Sequence, residues 1–337
     1  MKKLILASML SLFATNAFAD MKKHEEFYSS NPVNIIVGYG AGGGYDLVAR
    51  MIARYMPDHL PGSPRVVVRN MPGAGSNIAA NYLYQAAPKD GSTFGTFADV
   101  AFLYPLMGNP AAQFDPREFN WLGSVTSRST PTLLMRADAP VKTLADLQKI
   151  EATIGASGPD ASSAYGVMLN DLLGTKLKII QGYKGSADIE LAIQRNEVHG
   201  RVGAEWERIK IADWAKDGQV NILLQLSLKS HPDLKSVPVA VDLARNATDK
   251  QVMQMIFGTN QFYRVFAAPP GIEADRLKVL RKAFADVMNN PKFREEYKPH
   301  APAGVDFSDH DEIMAYILSV YKLSPEIHKV ASRYLGQ

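Results

Sequence analysis

The sequence predicts an α/β protein built from two small sheets. Twice near the start, a short apolar run is followed at once by a glycine loop and then by an amphipathic stretch, which is the order strand, turn, helix. Residues 152–240 alternate short strand and helix patterns at close intervals. This alternation is typical of α/β folds with parallel strands. A length of 337 residues further suggests two domains.

The first nineteen residues have the pattern of a secretory signal peptide. Lys2 and Lys3 precede an apolar run from Leu4 to Phe13, and Ala17-Phe-Ala19 forms a small-residue cleavage site before Asp20. The apolar run is too short to span a bilayer. We predict cleavage after Ala19 and export to the periplasm.

Composition excludes several classes of function. The chain has no cysteine, which rules out disulfides, thiolate metal sites and cysteine nucleophiles. The formal net charge of +3 falls to +1 once Lys2 and Lys3 are removed. A nearly neutral protein is a poor candidate for binding nucleic acid, because phosphate contacts need an excess of basic side chains.

The first strand–loop–helix unit runs from residue 33 to residue 55. Val33–Val37 forms an apolar strand, and glycines follow at five of the seven positions 38–44. Leu47, Val48, Met51, Ile52 and Tyr55 are then spaced as one face of a helix. A helix that begins directly after a glycine loop presents unpaired N–H groups and a partial positive charge, so this loop is a candidate anion site.

The loop could instead be a dinucleotide site or a tight turn without a ligand. Gly38, Gly40 and Gly43 match G-x-G-x-x-G, a pattern of dinucleotide sites. That site needs an acidic residue at the end of the second strand, but the strand at 66–68 runs into Arg69 and Asn70. A tight turn without a ligand is the other alternative, and the pattern favours a small anion over both.

The second unit repeats this arrangement. Residues 65–69 form a strand, residues 70–77 a loop with two glycines, and residues 78–87 a helix for which Ser76 or Asn77 is the N-cap. A third strand follows at 93–98. Glycine loops at the carboxyl ends of successive parallel strands line one crevice, which is where open α/β sheets usually bind ligands.

The rest of the chain predicts further strands and helices. Thr143 and Asp146 suit a capping box before a helix at 144–150. In the region 152–240 the serines 157, 162 and 163 surround a helix start, where they cap the helix or also donate to a bound carboxylate. We also predict a helix over 205–215, a strand at 262–267, and helices at 275–289, up to 320 and after Pro325.

The sequence shows no recognisable catalytic machinery. It lacks a G-x-S-x-G elbow, a P-loop lysine and any histidine spacing suited to a metal. Glu205-Trp-Glu-Arg208 either places a carboxylate and an indole in a cleft or holds a partly buried structural tryptophan. We therefore predict no catalytic residues, no metal and no cofactor, and we expect the protein not to be an enzyme.

Several motifs together resemble a known family. They are Gly38-Tyr-Gly-Ala-Gly-Gly-Gly-Tyr-Asp46, Asn70-Met-Pro-Gly-Ala-Gly75, Pro88-Lys-Asp-Gly-Ser-Thr93, Tyr183-Lys-Gly-Ser186 and Ala268-Pro-Pro-Gly271. In this order the chain is similar to the extracytoplasmic solute receptors of tripartite tricarboxylate transporters, also called Bug receptors. The chain departs from the common pattern at Gly40, Ser76 and Val239.

The resemblance implies a two-domain periplasmic-binding-protein fold of type II, the Venus-flytrap fold, with two crossover segments. Domain one would comprise residues 20–126 and 241–337, and domain two residues 127–240. The resemblance also implies binding of small carboxylates in the cleft between the domains and delivery to a membrane permease. The hypothesised mechanism is that the anion docks on the loops of domain one and that domain two then closes by hinge bending. The expected ligand-binding residues are Tyr39, Ala41, Gly42, Gly43, Gly73, Ala74, Gly75, Ser76, Ser157, Ser162, Ser163 and Tyr183.

Two further residues, Arg201 and Glu205, complete the predicted site. Arg201 either pairs with a second ligand carboxylate or neutralises Glu205 or Glu207. The expected partners are a small organic anion and the permease subunits, and we expect a monomer that binds no nucleic acid. Two alternatives remain: a ligand sensor for a signalling partner, and a secreted enzyme acting on a carboxylate. The sequence leaves the identity of the carboxylate open.

Overall fold

A computed structural model of the chain describes residues 20–126, 130–156, 161–183, 185–216, 218–300 and 304–335. The strands in chain order are β1 Val33–Val37, β2 Val66–Asn70, β3 Thr93–Thr96, β4 Asn120–Thr126, β5 Pro131–Arg136, β6 Ala152–Gly155, β7 Leu177–Ile180, β8 Gly200–Glu205, β9 Val220–Gln225, β10 Tyr263–Ala268 and β11 Ser308–Asp309. The predicted signal peptide lies outside the described residues.

Twelve α-helices lie in these described ranges. They are α1 at 20–30, α2 Gly44–Tyr55, α3 Asn77–Gln85, α4 Leu144–Leu147, α5 Ala161–Leu173, α6 Ser186–Gln194, α7 Trp206–Ile209, α8 Ala247–Gly258, α9 Ala274–Asn289, α10 Pro291–Tyr297, α11 His310–Tyr321 and α12 Pro325–Leu335. Short 3₁₀ turns occur at several other places, among them Ala74–Ser76 and Asp213–Ala215.

The chain divides into two compact units. Among the described residues, the first unit contains those up to Phe97, Glu118–Gly123 and Val265–Tyr297, and the second contains those in Ala98–Arg117, in Ser124–Arg264 and from Lys298 onward. The domain boundaries that the resemblance implies remain a prediction. No helix in the described part of the chain is long and apolar enough to span a membrane.

The first sheet has the strand order β11-β4-β10-β3-β1-β2. β1 lies between β2 and β3 and is parallel to both, whereas β10 runs antiparallel to β3. Every residue of β1 except Asn34 is buried, as a strand covered on both faces requires. Phe94, Phe266 and Phe284 are among the largest buried side chains of the first unit. The ring of Phe266 packs against the rings of both Phe94 and Phe284.

The second sheet has the order β7-β6-β8-β5-β9 and is also mixed. β6 is parallel to β7 and β8, while β5 is antiparallel to β8 and β9. Apolar residues of α6, α7, β5, β8 and the segment between α6 and β8 pack into one core cluster. Its buried members are Leu134, Ile189, Ala192, Ile193, Val198, Ala204 and Ile209.

Most predicted elements are confirmed, and several differ, among them the helix predicted over 144–150, which ends at Leu147. The sequence predicted one helix over 205–215, but α7 ends at Ile209 and a separate 3₁₀ turn occupies Asp213–Ala215. The predicted capping box is present: the side chain of Thr143 accepts the amide of Asp146, and the side chain of Asp146 accepts the amide of Thr143. The strand β4 was not predicted, because the prolines between residues 105 and 116 made the region before it look irregular.

Candidate functional site

The first glycine loop, residues 38–44, is exposed from Gly40 onward and leads directly into α2. Gly43 is the N-cap residue of α2 and has extended backbone angles, with no side chain to cap the helix. The helix therefore begins with unsatisfied N–H groups at the loop. Tyr39, within the loop, stacks on Tyr45, which directly follows it, with the ring centroids 4.3 Å apart.

The second glycine loop, residues 70–76, has an unusual backbone. Gly73, Ala74, Gly75 and Ser76 all have positive φ, at 130°, 47°, 61° and 74°. Alanine and serine adopt this conformation at a cost of roughly 1–3 kcal/mol each, and such strain concentrates at ligand-binding sites. Ser76 is the N-cap of α3, but its side chain makes no capping bond, and Asn77 instead donates to the carbonyl of Ala74.

The structure brings these two loops together, as predicted. β1 and β2 are parallel neighbours, and Val37 lies opposite Asn70, so both loops begin at the same edge of the sheet. Gly38 touches the second loop so closely that a Cβ atom there would lie 2.6 Å from the Cβ of Ser76. The main chain of Gly38 is meanwhile held by its hydrogen bond to the carbonyl of Thr96.

Several backbone amides in the two loops are unused by the protein. The N–H groups of Ala41, Gly43 and Gly44 donate to no acceptor among the described residues. The same holds, within the described ranges, for the N–H groups of residues 73–75. All six residues are exposed, so these amides are available to an anion from solvent.

Glycine at positions 40, 42 and 43 leaves open space. A Cβ atom at Gly40 or Gly42 would meet nothing within 4 Å, and one at Gly43 would meet only the carbonyl of Gly40, at 3.5 Å. Packing therefore does not require glycine at Gly40 or Gly43. The absence of side chains keeps the loop backbone accessible to a ligand.

A buried carboxylate lies beneath the loops. Asp46 is 3% exposed, and its Oδ2 accepts the amide of Gly42 at 2.8 Å and Nε of Arg50 at 2.9 Å. Nδ2 of Asn70 donates to Asp46 Oδ1 and to the carbonyl of Tyr39, each at 2.9 Å. The hydrogen bond from Arg50 is the main cause that lowers the pKa of Asp46 to about 2. Asp46 is therefore ionised at physiological pH.

The predicted residues of the second unit lie near the carboxyl ends of β6 and β7. Ser162 is half-buried, and Ser163 is buried and accepts Nε2 of Gln181 at 3.2 Å. Tyr183 follows β7, and its ring lies 3.2 Å from the position of a Cβ at Gly155. Burial raises the pKa of Tyr183. Ser157 lies outside the described residues.

Arg201 is buried and has partners in α6. Its guanidinium donates to Glu190 Oε1 and to Ser186 Oγ, each at 3.1 Å. Glu190 also pairs with Arg208 at 3.1 Å, so one carboxylate accepts from two arginines. The sequence had suggested Glu205 or Glu207 as the partner of Arg201, and not Glu190. A ligand carboxylate at Arg201 would have to share the guanidinium with Glu190.

The segment around Glu205 has a structural tryptophan. Glu205 is half-buried at the end of β8 and is the N-cap residue of α7, without a capping bond from its side chain. Trp206 packs partly buried against the core cluster of the second unit and donates Nε1 to Asp233 at 3.2 Å. The structure therefore favours the structural alternative for the tryptophan.

The buried carboxyl group of Glu207 should make the free energy of unfolding depend on pH. The residue is 6% exposed, and burial raises the pKa of its carboxyl group. Because the folded protein favours the protonated form, the contribution of Glu207 to the free energy of unfolding falls as pH rises from its unfolded pKa to its folded pKa. We expect the stability of Glu207→Gln relative to the wild type to be lowest below the unfolded pKa of the carboxyl group, to rise as pH passes through the folded pKa, and to stay constant above it. Urea unfolding at several pH values measures this, and a constant difference would contradict it.

Cavities of about 490 and 1070 Å³ are lined by described residues of the second unit. Neither is lined by a residue that the sequence predicts for ligand binding. The larger one has His231, Lys210 and Asp233 in its wall, and these side chains already contact one another or the protein. No group of three or more potential metal ligands is found in the described ranges. The glycine loops are therefore the candidate site.

Solved structures share this fold. The structure of a TctC solute-binding protein from Polaromonas matches with a TM-score of 0.66 and 19% identity, over 91% of this chain and 99% of that one. MatC from Rhodopseudomonas palustris with bound malate matches with a TM-score of 0.60, and R. palustris Rpa4515 with adipate with 0.63. Both are 19% identical, over 90% and 89% of this chain and 98% and 97% of theirs. The chain thus has the α/β two-domain periplasmic-binding-protein fold, with two mixed sheets.

The class of protein is a solute-binding receptor, as the match to a family model shows. The model of the tripartite tricarboxylate transporter family receptor, TctC, matches residues 48–319, and the chain belongs to this family. The expectation of a receptor rather than an enzyme is confirmed by this membership.

Two curated relatives agree with the family assignment. A UPF0065 protein from the TAR-I ttuE-ttuC' intergenic region of Agrobacterium vitis is 35% identical over 172 residues, or 48% of this chain and 47% of that protein. The chain thus matches about half the length of that relative. A UPF0065 protein of Bordetella pertussis is 28% identical over 86% of both chains.

Sequence reasoning missed the roles of Asp46, Arg50 and Asn70. Asp46 and Arg50 are four residues apart on α2, a spacing that favours an ion pair. This spacing, together with an acid placed in the first turn of a helix after a glycine loop, was the available signal. Asn70 carried no comparable signal, because its role depends on the pairing of β1 with β2.

Proposed function

We propose that this TctC-family receptor is exported to the periplasm, captures a small organic anion carrying a carboxylate, and delivers it to the membrane subunits of a tripartite tricarboxylate transporter. The observation that carries the proposal is the set of six exposed backbone amides in two adjacent glycine loops, which have no acceptor among the described residues. Backbone amides at a loop and a helix N-terminus bind anions through charge-assisted hydrogen bonds and the helix dipole.

The solved relatives support a carboxylate as the ligand. MatC was solved with malate and Rpa4515 with adipate, and both are dicarboxylates. We therefore propose that the amides of Ala41, Gly43, Gly44 and residues 73–75 bind one carboxylate. Ser162, Ser163, Tyr183, Arg201 and Glu205 are proposed for the remainder of the ligand, with Ser157 as a further candidate.

The proposed organisation follows the family. Domain one comprises residues 20–126 and 241–337 and carries the two glycine loops, and domain two comprises residues 127–240. Removal of residues 1–19 would leave a mature monomer that begins at Asp20. The amino-terminal sequence and the native mass of protein recovered from a periplasmic extract test this part of the proposal.

Ligand binding can be measured without knowing the ligand. Native mass spectrometry of the mature protein, before and after denaturation and refolding, reveals any anion that co-purifies. A thermal-shift panel should include malate, adipate, citrate, benzoate and nicotinate. A ligand at 100 times its Kd stabilises the folded state by about 2.7 kcal/mol, so we expect a rise in the unfolding midpoint that increases with concentration. No bound anion and no shift across the panel would contradict a carboxylate receptor.

A further inference from the structure

Asp46 and Asn70 connect the two glycine loops to each other. Asp46 accepts from Gly42 in the first loop, and Asn70, at the start of the second loop, donates to Asp46 and to the carbonyl of Tyr39. Nη2 of Arg50 donates to Asn70 Oδ1 at 3.2 Å and so closes the network from the other side. Each polar group of Asp46 and Asn70 in this network is thereby satisfied within the protein.

The network also divides the loop amides into two kinds. Gly42 has φ +82° and gives its N–H to a buried, ionised carboxylate. The neighbouring amides of Ala41, Gly43 and Gly44 have no acceptor within the described ranges. An anion from solvent competes poorly for the Gly42 amide, because the Asp46 carboxylate is already in place and buried.

Charge is balanced in the same network. A buried carboxylate beside an anion site would repel the ligand, but Nε of Arg50 lies 2.9 Å from Asp46 Oδ2. The arginine side chain is half exposed, whereas Asp46 is almost fully buried. Because Arg50 neutralises the charge of Asp46, the partial positive charge at the N-terminus of α2 remains available to attract an anion at the loops.

We propose that Asp46 and Asn70 are positioning residues, which hold the two glycine loops in one arrangement and reserve the Gly42 amide from the ligand. This inference deepens the proposed function, and its use for anion binding rests on that function. Precise placement matters because amides must meet both carboxylate oxygens at hydrogen-bonding distance. Asp46 acts through the loops and does not itself contact the anion.

The first test uses the ligand-free protein and needs no ligand. In amide exchange followed by NMR, Gly42 should exchange much more slowly than Gly43 and Gly44. In Asp46→Ala that protection should be lost, and the amide resonances of Met71 and residues 73–76 should shift as well. Asn70→Ala should shift the amides of both loops. Wild-type exchange at Gly42 as fast as at Gly43, or an unmoved second loop in both variants, would overturn the inference.

A matched control separates positioning from a general loss of stability. Asp115 also accepts a backbone amide and an arginine, both from Arg117, and lies outside the glycine loops. Asp115→Ala should leave the resonances of residues 39–46 and 70–76 unchanged. If Asp46→Ala lowered the unfolding midpoint but moved only its own helix, Asp46 would be merely structural and the inference would fail.

Binding supplies the second readout, with malate and adipate as the probes. We expect Asp46→Ala and Asn70→Ala to weaken the binding of a responding probe at least tenfold, and Asp115→Ala to leave it unchanged. Unchanged affinity in the first two variants would overturn the role in anion binding. Failure of every probe with the wild type would count against the proposed carboxylate function, while the exchange measurements would still decide the positioning role.

Discussion

Replacing Gly43 with valine should abolish binding of carboxylate probes and leave the protein folded. Gly43 has φ −78° and ψ 169°, a conformation that valine adopts readily. Its Cβ would contact only the carbonyl of Gly40, at 3.5 Å. The branched side chain would instead fill the space beside the amides of Gly43 and Gly44. Each lost charge-assisted hydrogen bond costs about 1.5–3 kcal/mol, so losing two should weaken binding at least about 100-fold.

The stability cost of this change should be small by comparison. Valine is a poorer N-cap than glycine, which predicts a loss of about 1 kcal/mol in the free energy of unfolding. Isothermal titration with malate or adipate measures affinity, and urea unfolding measures stability. Gly43→Ala should give an intermediate loss of affinity, because the methyl group fills less of the space. Full affinity in Gly43→Val would exclude these amides from the site.

Gly42 offers a second variant with a matched control. Gly42 and Gly174 have φ of +82° and +70°, and a Cβ at either position meets nothing within 4 Å. Valine therefore introduces comparable backbone strain at both, of about 1–2 kcal/mol. We expect both variants to lose similar stability, but only Gly42→Val to lose binding. If Gly42→Val bound the probe as tightly as Gly174→Val does, the first glycine loop would not be part of the binding site.

The loops were predictable because their physics is local. An apolar strand, a run of glycines and an amphipathic helix are each encoded within a few neighbouring residues, and parallel pairing then places the loops at one sheet edge. The positive φ of Ala74 and Ser76 was not predictable in this way. Those conformations are imposed by the surrounding structure, against the intrinsic preference of both residues.

The partners of charged residues were harder to predict than the elements that carry them. Arg201 and Glu190 are eleven residues apart, in β8 and α6, and meet only because the helix packs against the sheet. Nothing in the local pattern distinguishes Glu190 from Glu205 or Glu207 as the partner. Likewise, the mixed direction of both sheets depends on long-range pairing, which spacing along the chain does not encode.

Gly38→Ala should disrupt the alignment of the two loops and lower stability. The new Cβ would lie 2.6 Å from the Cβ of Ser76, whereas carbon atoms in contact prefer about 3.5–4.0 Å. Gly38 is held by its hydrogen bond to Thr96, so the second loop must give way by roughly 1 Å. Overpacking of this kind costs about 1–3 kcal/mol. A shift of that size would also separate the two sets of amides, and we expect binding of the responding probe to fall at least about tenfold.

A second substitution tests whether the contact with Ser76 is the cause. Ser76→Gly removes the clashing atom, and glycine suits the φ of +74° at this position. The other neighbours of the new methyl group, the Cβ atoms of Ala79 and Phe97, lie at 3.4 Å and need yield only slightly. The double variant should therefore recover most of the stability and affinity that Gly38→Ala loses, with a favourable coupling energy of about 1–3 kcal/mol. If the double variant were as impaired as Gly38→Ala alone, the contact between Gly38 and Ser76 would not be what aligns the two loops.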